Sequence, residues 1–164
     1  MKTKVIFKSA IIAALYAAMT LCLMPISYGI IQMRVSEVLT ILPKFSKSSI
    51  YGLTCGCFIA NYLGMVISGT TGIIDIVFGT LATFIAAVLS YHFKNNKFLV
   101  AFFPVFTNGI IVGTYLHYIA FPEINLLLCM ISVAIGEGAV TYMLGIPLIN
   151  FIIKNKRIGE YISD

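Results

Sequence analysis

The chain has 164 residues, of which 60% are hydrophobic and only 10% charged, with a formal net charge of +5. That composition lies far outside the range of soluble domains and predicts one compact all-α integral membrane unit spanning residues 1–164. Nucleic acid is excluded as a partner, because the basic residues stand in small groups between apolar runs rather than in one patch.

A membrane span needs about 20 mostly apolar residues. Five stretches meet or approach that length: Val5 to Met24, Ser48 to Val66, Gly72 to Tyr91, Phe98 to Tyr118 and Leu126 to Ile153. The first follows Lys2 and Lys4 but is read as a transmembrane helix rather than a signal peptide. No small-x-small cleavage site follows it, and Leu21 stands where lipoprotein processing at Cys22 wants a small residue. Within it Ala10, Ala14 and Ala18 recur at a spacing of four, with Ala13 and Ala17 beside them. In lipid a stripe of small side chains lets backbones approach and gain dispersion contacts, so this is a docking face. Spacing leaves open whether it docks within the chain or on a partner. The second and third spans carry similar stripes, Ser48, Gly52, Gly56, Ala60 and Gly64, then Gly79, Thr83 and Ala87. These two are expected to satisfy each other, which leaves the first helix as the better candidate for a partner.

Between the first two spans lies PISYGIIQMRVSEVLTILP, Pro25 to Pro43. It places Arg34 and Glu37 three residues apart in apolar surroundings. Each such charge costs roughly 2.5 to 3.5 kcal/mol at membrane depth on insertion scales, so it marks a functional site by default. The stretch is expected to line the mouth of a small-molecule site. Its apolar part, Val35 to Leu42, is too short to cross alone and is ended by Pro43, yet it must return the chain, partly as loop and partly as short helix. Six membrane segments result, the second short and discontinuous, with both termini cytoplasmic. Ten of the eleven basic residues then face the cytoplasm and only Arg34 lies outside, as the positive-inside rule requires.

Glu37, Asp75 and Glu123 fall near outer helix ends, and Glu137 lies deeper, within Gly136-Glu137-Gly138. They read as an acidic pocket opening outward; Asp75 reads equally well as a complement to a helix dipole. Asn61 lies near the outer end of its span. Counted at 1.5 Å per residue, Asn108 and Glu137 reach comparable depths. A carboxylate beside a carboxamide either grips a heterocycle through paired hydrogen bonds or locks two helices together. Tyr28, Tyr62, Tyr115 and Tyr118 supply flat rings near the outer half, as ligand platforms or as an interfacial belt, and His117 belongs to belt or rim. Cys22, Cys55, Cys57 and Cys129 lack C-x-x-C spacing and read as small apolar filler. There is no phosphate loop, H-E-x-x-H or G-x-S-x-G. No catalytic residue, cofactor or metal is expected.

Pro25-Ile26-Ser27-Tyr28-Gly29, followed by Ile31-Gln32-Met33-Arg34-Val35-Ser36-Glu37 and Leu42-Pro43, resembles the signature of the QueT family. These are substrate-binding S components of energy-coupling factor (ECF) transporters associated with queuosine precursors. The likeness continues through Ile59-Ala60-Asn61, Asp75 to Thr83, Asn108 with Val112-Gly113, and Gly136-Glu137 to Leu148. It implies a six-helix bundle in the plasma membrane of a prokaryote, which captures its ligand outside and releases it inward. The partners implied are a transmembrane coupling protein, met by Ala10, Ala14 and Ala18, and two cytoplasmic ATPases. The implied ligand is a 7-deazaguanine: preQ0, preQ1, queuine or the nucleoside. Glu137 would then accept the ring N–H and the exocyclic amine, Asn108 would address the carbonyl or a ring nitrogen, and Tyr28 or Tyr115 would stack on the ring. Asp75 or Glu37 would meet a cationic amine, and Arg34, Gln32 and Asn61 complete the expected site. Two other readings stay open: an S component for another vitamin or nucleobase, and a membrane assembly subunit whose polar residues only lock helices.

Overall fold

A computed structural model of the chain describes residues 2–28, 31–69 and 72–163. Gly29 of the first-loop motif lies outside them. The elements in order are α1 (Lys2–Cys22), a single turn α2 (Met24–Ser27), a 3-10 helix α3 (Val35–Lys44), α4 (Ser48–Ser68), α5 (Asp75–His92), α6 (Lys97–Ala120), α7 (Leu126–Lys154) and a short α8 (Lys156–Ile162). Among the described residues there is no strand. Helices α1, α4, α5, α6 and α7 are long and apolar enough to cross a membrane, and they coincide with the five apolar stretches of the sequence.

The centre of the bundle is α3. Its Ser36, Glu37, Val38, Thr40, Ile41, Leu42 and Pro43 are all buried, against α1, α4, α5, α6 and α7. A 3-10 run of ten residues is unusual, since the tighter winding has poorer hydrogen bonds and rarely exceeds three or four residues. What it gains is reach. At about 2.0 Å per residue α3 spans roughly 20 Å, where an α-helix of the same length would span about 15 Å. The chain enters it through extended backbone at Arg34, and Pro43 does not end it as the sequence suggested. Only one residue of the helix follows that proline, so its missing N–H removes a bond from the last turn alone.

Segment α3 runs back along α1. Thr20 and Ser36 share a hydroxyl hydrogen bond of 2.6 Å, and the Tyr16 hydroxyl donates to Glu37 one turn nearer the start of α1. Lys44, at the end of α3, donates to the Lys94 carbonyl in the α5–α6 turn, while Lys97 reaches Asn150 of α7 and Lys8 reaches the carbonyls of Ile162 and Ser163. The lysines between the spans thus gather at one end of the bundle.

Glycines set the spacing of α1 against α4. A Cβ on Gly52 would lie 2.8 Å from Ile12 Cβ, and one on Gly56 would lie 2.8 Å from Tyr16 Cβ. The α4 stripe therefore packs on α1, not on α5 as its spacing suggested. Spacing defines a face but not its neighbour, and Ala13 and Ala17 offered α4 an equally low surface. Ala10, Ala14 and Ala18 remain exposed on the other side of α1.

Pro104 interrupts the hydrogen-bond ladder of α6 and leaves the Val100 carbonyl without its helical donor. Buried Ser90 of α5 supplies one across the interface at 3.0 Å. We expect Ser90→Ala to cost about 1 to 2 kcal/mol, the usual penalty for a buried carbonyl left unpaired. Thermal unfolding in detergent checks this, and an unchanged midpoint would refute it.

Candidate functional site

The polar residues of this apolar chain converge on the upper half of α3 and the extended residues before it. Arg34 is 3% exposed. Its Nε donates to the Ser27 carbonyl at 3.3 Å, and its guanidinium lies 5.0 Å over the Tyr28 ring. Tyr28 is itself tied to α4 through a hydroxyl bond to the Ala60 carbonyl at 3.1 Å. Because α3 begins at residue 35, Glu37 sits in its first turn beneath Arg34, with its N–H bonded to the Arg34 carbonyl at 2.9 Å. One Glu37 oxygen accepts from Tyr16, and the residue is 1% exposed. Arg34 and Glu37 are thus buried within the bundle, while Ile26, Ile31 and Met33 of the same stretch are exposed.

From the far side α6 and α7 present Asn108 and Glu137, 3% and 1% exposed. Gly109 packs on Ala134 and Gly113 on the Met130 backbone, so the two helices run close enough to bring these side chains side by side. Gly136 fits against the backbone of Gln32, where a Cβ would stand 2.6 Å from the Gln32 oxygen. This holds the extended strap onto α7 next to Glu137. A π-turn, Thr141–Gly145, follows immediately.

A second group adjoins the first at Gly79. The position of its absent Cβ is 2.9 Å from Asn61 Nδ2 and 3.9 Å from both Arg34 Nη1 and the Tyr115 hydroxyl. Asn61 Nδ2 donates to the Asp75 carbonyl at 2.9 Å. The Asp75 carboxylate receives the Tyr115 hydroxyl on Oδ1 and the Gly72 N–H, at 3.0 Å, on Oδ2. Both of its oxygens are bonded within the protein.

All nine residues expected in a ligand site therefore lie together around Arg34. Tyr62 and Tyr118, 48% and 68% exposed, point away from it, and His117 bonds the Ile124 carbonyl. The sequence did not single out Tyr16 and Thr20, and it did not place Ser36, Cys57 and Thr83 in the site. Tyr16 and Thr20 are four apart on one helical face, and that spacing in an otherwise apolar span was their only signal. Cys57 also departs from plain filler, since it accepts from Thr83 at 3.4 Å. Among the described residues no cluster of His, Cys, Asp and Glu could hold a metal ion.

Within this cluster Arg34 Nη2, Glu37 Oε2, Asn108 Nδ2 and Glu137 Oε2 are buried and have no hydrogen-bond partner. Leaving such groups unpaired costs about 1 to 3 kcal/mol each, more when they are charged. Two donors and two acceptors thus stand unpaired in one core, a pattern complementary to the edge of a small polar heterocycle, and they contain no nucleophile and base pair for chemistry on it.

Residues 6–154 match the family model described as QueT transporter. Over 103 residues the chain is 38% identical to a protein of Lactococcus lactis subsp. cremoris (strain MG1363) named queuosine precursor transporter QueT; the match covers 59% of this chain and 57% of that protein. The chain thus matches a little over half the length of that relative. No solved structure matches it.

Proposed function

This chain belongs to the QueT transporter family, and from that premise we propose that it is the substrate-binding S component of an energy-coupling factor importer for a 7-deazaguanine. The observation that carries the reading is the convergence of four unpartnered buried polar atoms, on Arg34, Glu37, Asn108 and Glu137. A guanine-like edge sets a ring N–H beside an exocyclic amine, and the Glu137 carboxylate accepts both. The Asn108 amide donates to the ring carbonyl or a ring nitrogen, and Tyr28 or Tyr115 offers a ring to stack on. Glu37 takes the cationic amine of preQ1 or queuine through its open Oε2, a role less suited to Asp75 with its two bonded oxygens. Gln32 and Asn61 hold the walls.

The ligand enters from the side opposite the lysines, and α3 with its extended lead forms the second of six membrane segments. Both termini are then cytoplasmic. The length of α3 supports this: roughly 20 Å of 3-10 helix plus four residues of lead, at most about 13 Å, is enough to cross the ~30 Å hydrocarbon layer. The site is closed to water on both sides, so delivery requires the whole subunit to reorient against its partners, a transmembrane coupling protein and two cytoplasmic ATPases.

The exposed line Ala10, Ala14 and Ala18 is the face offered to the coupling protein. Ala14→Trp should leave ligand binding within twofold and reduce co-purification of the coupling protein at least tenfold, because a bulky ring forbids close helix approach. Unchanged co-purification would remove α1 from the interface.

The ligand itself is tested by denaturing the purified protein and identifying released small molecules by mass spectrometry. A stoichiometric deazaguanine supports the reading. An empty protein whose melting is moved by other vitamins or nucleobases, and by no deazaguanine, overturns it.

A further inference from the structure

The basic end of the bundle carries a feature unconnected with the buried site. Between the start of α1 and α8 lies a cavity of about 820 Å³ lined by Lys4, Lys8 and Arg157, with Glu160, Tyr161 and Ser163. Among the described residues that line it, Lys4 and Arg157 face one carboxylate, Glu160. A second groove of about 520 Å³ runs along α1, walled by Ile11, Leu15, Leu39, Leu148 and Phe151. Lys8 and Tyr161 line both, so the two adjoin. Lys8 is fixed at the junction, donating to the Ile162 and Ser163 carbonyls at 3.5 and 2.5 Å.

We propose that this cleft binds an anionic phospholipid, its phosphate held by Lys4 and Arg157 and an acyl chain laid in the groove between α1 and α7. The charge pattern selects this occupant. A lipid is the one membrane molecule that joins an anionic head to a long apolar tail in the order this cleft presents them. From Lys8 to Leu15 the groove follows α1 for about 10 Å, a length that a straight acyl chain fills. A zwitterionic headgroup brings its own cation to the same basic residues and loses the attraction. Cations clustered between helices at a bilayer surface hold anionic headgroups in this way.

Full-length protein in mild detergent is titrated with phosphatidylglycerol, phosphatidylcholine and sodium phosphate, and bound species are counted by native mass spectrometry. Phosphatidylglycerol should be retained about thirtyfold more than phosphatidylcholine, the ratio expected for two charges. Lys4→Gln with Arg157→Gln should bring it down to the phosphatidylcholine level, while Lys4→Arg with Arg157→Lys keeps it. Leu15→Trp, which fills the acyl seat and spares the cations, should lower it comparably. Circular dichroism on every variant confirms the helical fold, and the charge-conserving pair provides the comparison if the glutamine pair is unstable. Equal retention of the two lipids overturns the proposal, as does displacement of phosphatidylglycerol by equimolar inorganic phosphate. If Leu15→Trp spares lipid binding but blocks co-purification of the coupling protein, the groove belongs to that protein and the proposal falls.

Discussion

Glu137→Gln should weaken deazaguanine binding by at least about a hundredfold while leaving the melting temperature of the ligand-free protein within a few degrees. The substitution keeps size and shape and exchanges one carboxylate oxygen for an amide NH₂. In the apo protein little is lost, because Oε2 has no partner to forfeit. In the complex the new NH₂ faces the N–H or amine of the ligand, donor against donor, and a buried charge-assisted pair is gone. Such losses run to about 2 to 5 kcal/mol. Isothermal titration with preQ1 and preQ0 measures it. Unchanged affinity would mean that Glu137 only locks helices, and a collapse of melting without ligand would point to the same conclusion. The wild type should also prefer preQ1 to preQ0, since only the former offers a cation to Glu37.

The two glycines that flank Glu137 should respond in opposite directions. At Gly136 an added methyl meets the Gln32 carbonyl oxygen at 2.6 Å and its carbon at 2.9 Å. Both are backbone atoms of the strap that carries Arg34, so neither rotates away. Gly136→Ala should cost about 1 to 3 kcal/mol through overpacking, and should displace the strap, reducing ligand affinity at least tenfold. At Gly138 the nearest atom is Val105 Cγ2 at 4.0 Å. There alanine only removes the conformational freedom of glycine, and Gly138→Ala should stabilise α7 by about 0.5 to 1 kcal/mol with affinity unchanged. Equal effects at the two positions would mean that the strap does not rest on α7 as described.

The long spans were legible because apolar length is a local property: a run such as Phe98 to Tyr118 needs no partner to declare itself. Arg34, Glu37, Asn108 and Glu137 were legible for the complementary reason, since a polar group in such a run has few structural excuses. The course of α3 was not. Its 3-10 winding follows from burial among five helices and from the distance it must cover, neither of which is written in VSEVLTILPK. The partner of the α4 glycines was misread because two helices offered equally small faces. Tyr16 escaped notice because its ring counts as apolar in any hydropathy sum, although its hydroxyl holds Glu37 in place. Asp75 was visible as a candidate, but only the positions of Gly72 and Tyr115 reveal that its oxygens are already engaged.

The placement of α3 at the centre bears on how the protein is made. A segment carrying Arg34 and Glu37 is too polar and too short to partition into lipid on its own, so it depends on α1 and α4 being beside it when it leaves the insertion machinery. Glu137 and Asn108 arrive later still, on helices synthesised after α5. The buried polar cluster is therefore among the last things this chain completes, and a ribosome-bound intermediate that lacks α7 has the strap and its arginine but not the carboxylate of Glu137 beside them.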